Sequence, residues 1–182
     1  MVSQFVSTHS VNLLGDLEFD FPPGTHAIGR LDNHTEGLLL LTTNKKITRL
    51  LFEGKIPHKR TYFVQVNHEI TGLKIEQLKN GVNIPISNNQ QYLTIPCEVE
   101  IITEPSILSA LDFPYIIYPP YTWLLLTLTE GKFHQVRKMM GAVQHRCKRL
   151  IRFSIEEISI ENLSAGSVRE IQEDVFFRKL KL

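Results

Sequence analysis

The chain has 182 residues, 42% of them hydrophobic, and a formal net charge of +1 at pH 7. That length suits one sizeable domain, or two small lobes sharing a core, and no apolar run approaches the ~20 residues of a membrane-crossing helix. Cys97 and Cys147 are too few for a disulfide framework or a zinc site and read as buried reduced thiols. Met1 to Leu14 lacks a basic stretch followed by an apolar one, so no secretory signal is read and a cytoplasmic protein is expected.

Residues 1–28 are weakly patterned, and Pro22-Pro23-Gly24 marks a turn. The next stretch, Gly29 to Thr42, reads G-R-L-D-N-H-T-E-G-L-L-L-L-T. Its apolar run Leu38–Leu41, between Gly37 and Thr42-Thr43-Asn44, predicts a strand buried on both faces. Its polar half carries Asp32 and Glu36 on a loop, a good mount for a reactive group if a rigid strand follows. Asn44 is placed to cap a short helix with Ile47, Leu50 and Leu51 on one face, closed by Gly54. Lys59 to Val66, K-R-T-Y-F-V-Q-V, alternates and is rich in strand formers. Thr71 opens a second helix that Gly81 ends, and Val82 to Thr103 reads as short strands broken at Ser87-Asn88-Asn89. Glu104 to Pro120 is irregular, with its Ile107-Leu108 and Tyr115-Ile116-Ile117 pieces unassigned.

Tyr121 to Thr129 predicts another strand. Beyond Gly131, Val136, Met139, Met140 and Val143 recur at i, i+3, i+4 and i+7, the stripe of an amphipathic helix. Arg137 falls at the edge of that stripe and Lys138 on its polar side. Lys148 to Ile160 reads as a strand or strand pair, and the tail from Glu170 as helix or loop.

The near-zero net charge hides segregation. Lys45, Lys46, Arg49, Lys55, Lys59 and Arg60 are opposed locally only by Glu53. Lys132, Arg137, Lys138, Arg146, Lys148, Arg149 and Arg152 are opposed only by Glu130. If these two segments meet in space they form a positive face suited to a polyanion.

Three stretches together carry a resemblance: the Asp32 loop, the strand with Tyr62, and E-G-K-F-H-Q-V-R-K-M followed by R-C-K-R-L-I-R. They resemble the pseudouridine synthases, in the ribosomal RNA branch called RsuA/RluE-like. The tail Leu163 to Ile171, L-S-A-G-S-V-R-E-I, is similar to that branch's closing L-x-P-G-x-x-R-E-L. The resemblance implies an α+β fold: a bent, largely antiparallel mixed sheet with flanking helices and a central cleft. Residues 1–182 would be one catalytic domain of two lobes sharing one sheet. Relative to the family it would be truncated at the N-terminus, without the lysine-proline strand and without the RNA-binding domain of the S4 type. That lack favours the RluE-like subgroup, acting on large-subunit RNA.

The implied reaction is isomerisation of a uridine in ribosomal RNA to pseudouridine. On matching positions Asp32 would be the catalytic aspartate, attacking C1′ of the ribose or taking a proton from C2′. Tyr62 would stack on the uracil and help remove the C5 proton. Arg137 would pair with the aspartate, Leu150 would pack beneath the base, and Arg30 would contact RNA. Lys59, Lys132, His134, Lys138, Arg149 and Arg152 would complete the substrate-binding surface. The family implies no cofactor and no metal, ribosomal RNA as partner, no membrane, and a monomer.

Residue chemistry agrees independently. A nucleophilic carboxylate must be ionised, and a neighbouring guanidinium favours that form against burial. A base withdrawn from its stack is held by an aromatic face and surrounding basic groups. His34, His58, His134 and His145 lack a metal spacing and read as surface or RNA-facing. Glu36 reads as structural, holding loop amides or pairing with a basic side chain. Two rivals remain: an RNA-binding or ribosome-assembly protein of the same fold with little activity, and a hydrolase using Asp32 and Glu36 as paired carboxylates.

Overall fold

A computed structural model describes residues 1–54, 56–106 and 119–182. The pieces Ile107-Leu108 and Tyr115-Ile116-Ile117, and Lys55 of the first basic segment, lie outside the described residues.

The architecture is α+β. Strand β4 (Arg60–Asn67) is the centre of a mostly antiparallel sheet. On one side it pairs with β8 (Tyr121–Leu128), from Arg60 opposite Leu128 to Asn67 opposite Tyr121, and β7 (Glu98–Ile102) adds to β8. On the other side it pairs with β9 (Cys147–Ile155), with bulges between Thr61 and Tyr62 and between Gln65 and Val66. The outer edge of β9 takes β10 (Ile158–Ser159) antiparallel and β2 (Glu36–Gly37) parallel. Alternating aromatic and β-branched residues make β4 fit a pleated surface buried on both faces.

One face of the sheet packs Val64, Leu126 and Leu150 against α2 (Gly72–Asn80) and α3 (Gln135–Ala142). The α3 stripe of Val136, Met139, Met140 and Val143 is buried as its spacing requires. Each of those side chains contributes roughly 1.5–3 kcal/mol on leaving water. The opposite face packs Phe63, Ile151 and Ile155 against α1 (Ile47–Glu53), α4 (Glu173–Leu180) and a ribbon of β1 (His26–Ile28) with β3 (Leu40–Thr42). The segment from Val82 forms a hairpin of β5 (Asn83–Pro85) and β6 (Gln91–Leu93) around Ser87–Asn89. Among the described residues no helix is long and apolar enough to cross a membrane.

Three local expectations are corrected. Leu38–Leu41 is not one central strand: Leu38 and Leu40 are buried, while Leu39 and Leu41 are only half-buried. The break falls at Leu38-Leu39, just after Gly37 at φ +101°: β2 ends at Gly37 on β9, and β3 starts at Leu40 and pairs with β1, a strand the sequence does not announce. Asn44 does not cap α1, which starts at Ile47; it lies two residues before the cap position Lys46, and its Oδ1 accepts the Lys46 amide at 3.0 Å in the preceding turn. Leu50 faces solvent, and Ile47 and Leu51 are the buried anchors of that helix among the described side chains.

Candidate active site

The Asp32 loop is held at three points. Its turn is closed by the Thr35 amide donating to Asp32 O at 2.8 Å, and Leu31 donates its amide to Ser3 Oγ at 3.0 Å. Its far end is clamped to β9: the Leu38 amide donates to Arg152 O, and Arg152 Nε donates to Leu38 O, each at 2.8 Å. Gly37 is required there, since a Cβ would sit 2.3 Å from Arg152 O.

The loop before α3 is stapled just as firmly. Glu130 accepts the Tyr92 hydroxyl at 2.6 Å, the Ile95 amide at 2.9 Å and Gln135 Nε2 at 2.6 Å. The buried Gln135 turns its Oε1 back to the Lys132 amide at 2.7 Å. His134, at φ +54°, opens the helix and brings its Nε2 to 3.6 Å from Asp32 Oδ1. Phe133, 73% exposed, stacks on His134 with ring centres 3.8 Å apart, and Lys138 Nζ lies 5.4 Å from the Phe133 ring centre.

Tyr62 sits directly opposite Arg152 on the β4–β9 pair, so the two side chains share a sheet face with Leu150 and Val64. Arg152 is buried, and burial pushes its guanidinium below the usual arginine range. The Tyr62 hydroxyl and, more weakly, the Asp32 carboxylate push it back up. Arg60, two residues before Tyr62, is also buried and lowered by burial, with Tyr62 and Glu156 opposing. Its guanidinium lies 4.9 Å from the Phe52 ring centre.

Asp32, Tyr62, Arg152 and His134 come together, with Leu150 packed beneath Tyr62 in the apolar layer. Arg137 does not reach the carboxylate in a salt bridge; its Nη2 donates to His34 O and its Nη1 to Cys147 O at 3.5 Å, so it grips the Asp32 loop by its backbone. Arg149 does not face outward to a ligand: it is tied bidentately to Glu36 at 2.9 and 2.8 Å. That contact turns Glu36 away from any paired-carboxylate chemistry with Asp32. Arg152 lies behind Tyr62 instead of on the surface. Lys59 is paired with Glu98 at 2.7 Å, and Lys132 Nζ covers the Tyr92 ring at 4.5 Å. Arg30 is exposed at the loop's entrance. A cavity of about 1220 Å³ runs beside the loop along Glu36, Arg149 and the tail, with none of Asp32, Tyr62 or His134 in its walls.

Comparison with known proteins settles which family builds such a site. The profile described as RNA pseudouridylate synthase matches residues 16–142. The chain belongs to that family. It is 34% identical over 157 residues to the ribosomal large subunit pseudouridine synthase E of Vibrio vulnificus, covering 84% of this chain and 64% of that protein. The synthase E of Xanthomonas axonopodis pv. citri is 32% identical, with 81% and 76% covered. The ribosomal small subunit pseudouridine synthase A of Salmonella typhimurium is 30% identical, with 82% and 56% covered. A crystal structure of a pseudouridylate synthase superposes with a TM-score of 0.71 at 25% identity, over 89% of this chain and 63% of that one. The chain thus spans less than two thirds of the Vibrio and Salmonella proteins.

Two residues beside Tyr62 and His134 are not singled out by the sequence. Arg60 was one cation among many in a basic run, although its i−2 spacing from Tyr62 on a strand places both on one face. Phe133 sits inside a recognised motif, but its exposure depends on the left-handed turn at His134.

Proposed function

We propose that the protein isomerises a uridine of ribosomal RNA to pseudouridine, with large-subunit RNA the preferred substrate. The observation that carries this is the convergence of Asp32, Tyr62 and a buried guanidinium around one face of the central strand pair. Asp32 acts at the ribose, by attack on C1′ or removal of the C2′ proton. The N1–C1′ bond breaks, the base turns, and C5–C1′ forms; the C5 proton leaves and N1 takes one, so no atom is gained or lost. Tyr62 stacks on the base and assists removal of the C5 proton, above the floor made by Leu150. Arg137 acts as a positioning residue, holding the loop through His34. Arg30, Lys132, His134 and Lys138 meet the RNA around the withdrawn nucleotide, where phosphate contacts set position without reading sequence.

The test is to incubate the protein with ribosomal RNA from a synthase-deficient strain and map pseudouridine. One new site in large-subunit RNA is expected. Tight RNA binding without any new site would instead make this an RNA-binding member of the fold.

A further inference from the structure

Arg60 and Arg152 are 8% and 5% exposed, yet among the described residues Arg60 Nη1 and Arg152 Nη2 have no hydrogen-bond partner. Among the described residues neither guanidinium forms a salt bridge, although the Glu156 charge acts on Arg60 from further off. Each is held by other means: Arg152 through Nε to Leu38 O and a hydrogen bond with the Tyr62 hydroxyl, Arg60 against the Phe52 ring. Gly131 keeps space for Arg60, since a Cβ there would meet Nη1 at 3.2 Å. Burying two like charges with donors unspent is costly, and such donors are retained where charge develops during a reaction.

We propose that Arg60 and Arg152 are a donor pair for the uracil anion that forms when the glycosidic bond breaks. The inference rests on the pseudouridine synthase reading of this site. When N1–C1′ breaks, the bonding electron pair stays with the base and spreads over N1, O2 and O4. The ribose carbon is taken by Asp32, or becomes a glycal after loss of the C2′ proton. Two guanidinium groups bracketing Tyr62, the residue on which the base stacks, meet that charge before it is discharged in the C5–C1′ bond. Neutral bound uridine gains far less from them, so the pair favours the transition state over the ground state.

The test uses single-turnover cleavage of two RNA fragments spanning the modified site, one with uridine and one with 5-fluorouridine. Fluorine withdraws electrons and makes the uracil anion easier to form. Arg60→Met and Arg152→Lys should slow glycosidic cleavage of uridine by about 10²-fold or more. Their deficit on 5-fluorouridine should be at least about tenfold smaller, with RNA affinity within about threefold. Arg60→Lys keeps a cation and serves if the methionine variant does not fold; it should show the same compression in milder form. Equal losses on both RNAs, no loss, or a loss confined to affinity would overturn the proposal while leaving the activity intact. Wild-type inactivity on both fragments would overturn the parent reading and this one with it.

Discussion

Strand β9 buries two arginines that the same short segment grips in two different ways. Arg149, on one face, receives both oxygens of Glu36, and its side chain is 11% exposed. Arg152, on the other face, donates to the Leu38 carbonyl and shares a hydrogen bond with the Tyr62 hydroxyl, and among the described residues its Nη2 has no partner. The first is a matched pair whose charge is spent inside the fold. The second has been buried at comparable cost and left partly unspent on the face that the proposed reaction would use. Degree of satisfaction, not residue type, separates the strut from the group proposed to work in the reaction.

The sharpest way to break that distinction is to remove the carboxylate on the Arg152 side. Asp32→Asn should lower turnover by at least about 10³-fold. Its thermal midpoint should barely move and RNA affinity should stay within several fold, because its side-chain partner is a half-exposed histidine. Substantial turnover in Asp32→Asn would show that the nucleophile lies elsewhere. Next in size is the removal of Glu36 on the Arg149 side. Glu36→Ala removes the bidentate carboxylate from a mostly buried guanidinium and should cost about 2–4 kcal/mol in a denaturant titration. Turnover per folded molecule should remain within about threefold of wild type. A collapse of turnover with the fold intact would erase the contrast, because Glu36 would then be working in the reaction.

How much of this was legible in the sequence follows from how local each cause is. The strand with Tyr62 and the α3 stripe were readable because their periods of two and 3.6 residues are written in consecutive residues. The fate of Leu38–Leu41 was not, because Gly37 owes its role to the Arg152 backbone, a neighbour distant in sequence. In R-L-I-R the two arginines look alike, and only the partner reached from Glu36, 113 residues away, tells them apart. The expected Asp32–Arg137 pair failed for a similar reason. Which guanidinium meets which oxygen depends on the left-handed entry to α3, where His134 takes the place beside the carboxylate. A structural role for Glu36 was readable because one carboxylate just before an apolar run needs a partner once buried.

A smaller effect separates reactive groups from the rim. Phe133 holds its ring in water, stacked on His134 with Lys138 Nζ 5.4 Å from the ring centre, and on the proposed reading it would stack an unpaired neighbour of the target base. Phe133→Ala should weaken RNA binding about five- to tenfold, near the ~1–3 kcal/mol lower range of base stacking. Phe133→Tyr should restore it, and kcat at saturating RNA should hardly change. Loss of kcat with unchanged affinity would place the ring inside the reaction instead.

The smallest effect concerns Glu156, the charge that acts on Arg60 from beyond the site and therefore tests whether the unspent donors depend on distant carboxylates. Burial pulls the Glu156 carboxyl up, but Lys181 Nζ at 2.8 Å, the Lys59 amide at 2.7 Å and the His58 ring together hold it below the usual value. Because the folded state holds this proton less tightly than the unfolded chain, the stabilisation is complete above the ordinary glutamate value of 4.5. It is lost as pH falls below that value, when the unfolded chain takes up the proton first. Between about pH 5 and pH 3 the thermal midpoint of wild type should drop more steeply than that of Glu156→Gln. The variant, already without the charge, should begin lower and lose less. Parallel slopes would mean that the Lys181 contact contributes nothing in solution. A change in single-turnover rate for Glu156→Gln at neutral pH would tie this carboxylate to Arg60 and make the second arginine less isolated than its unpaired Nη1 indicates.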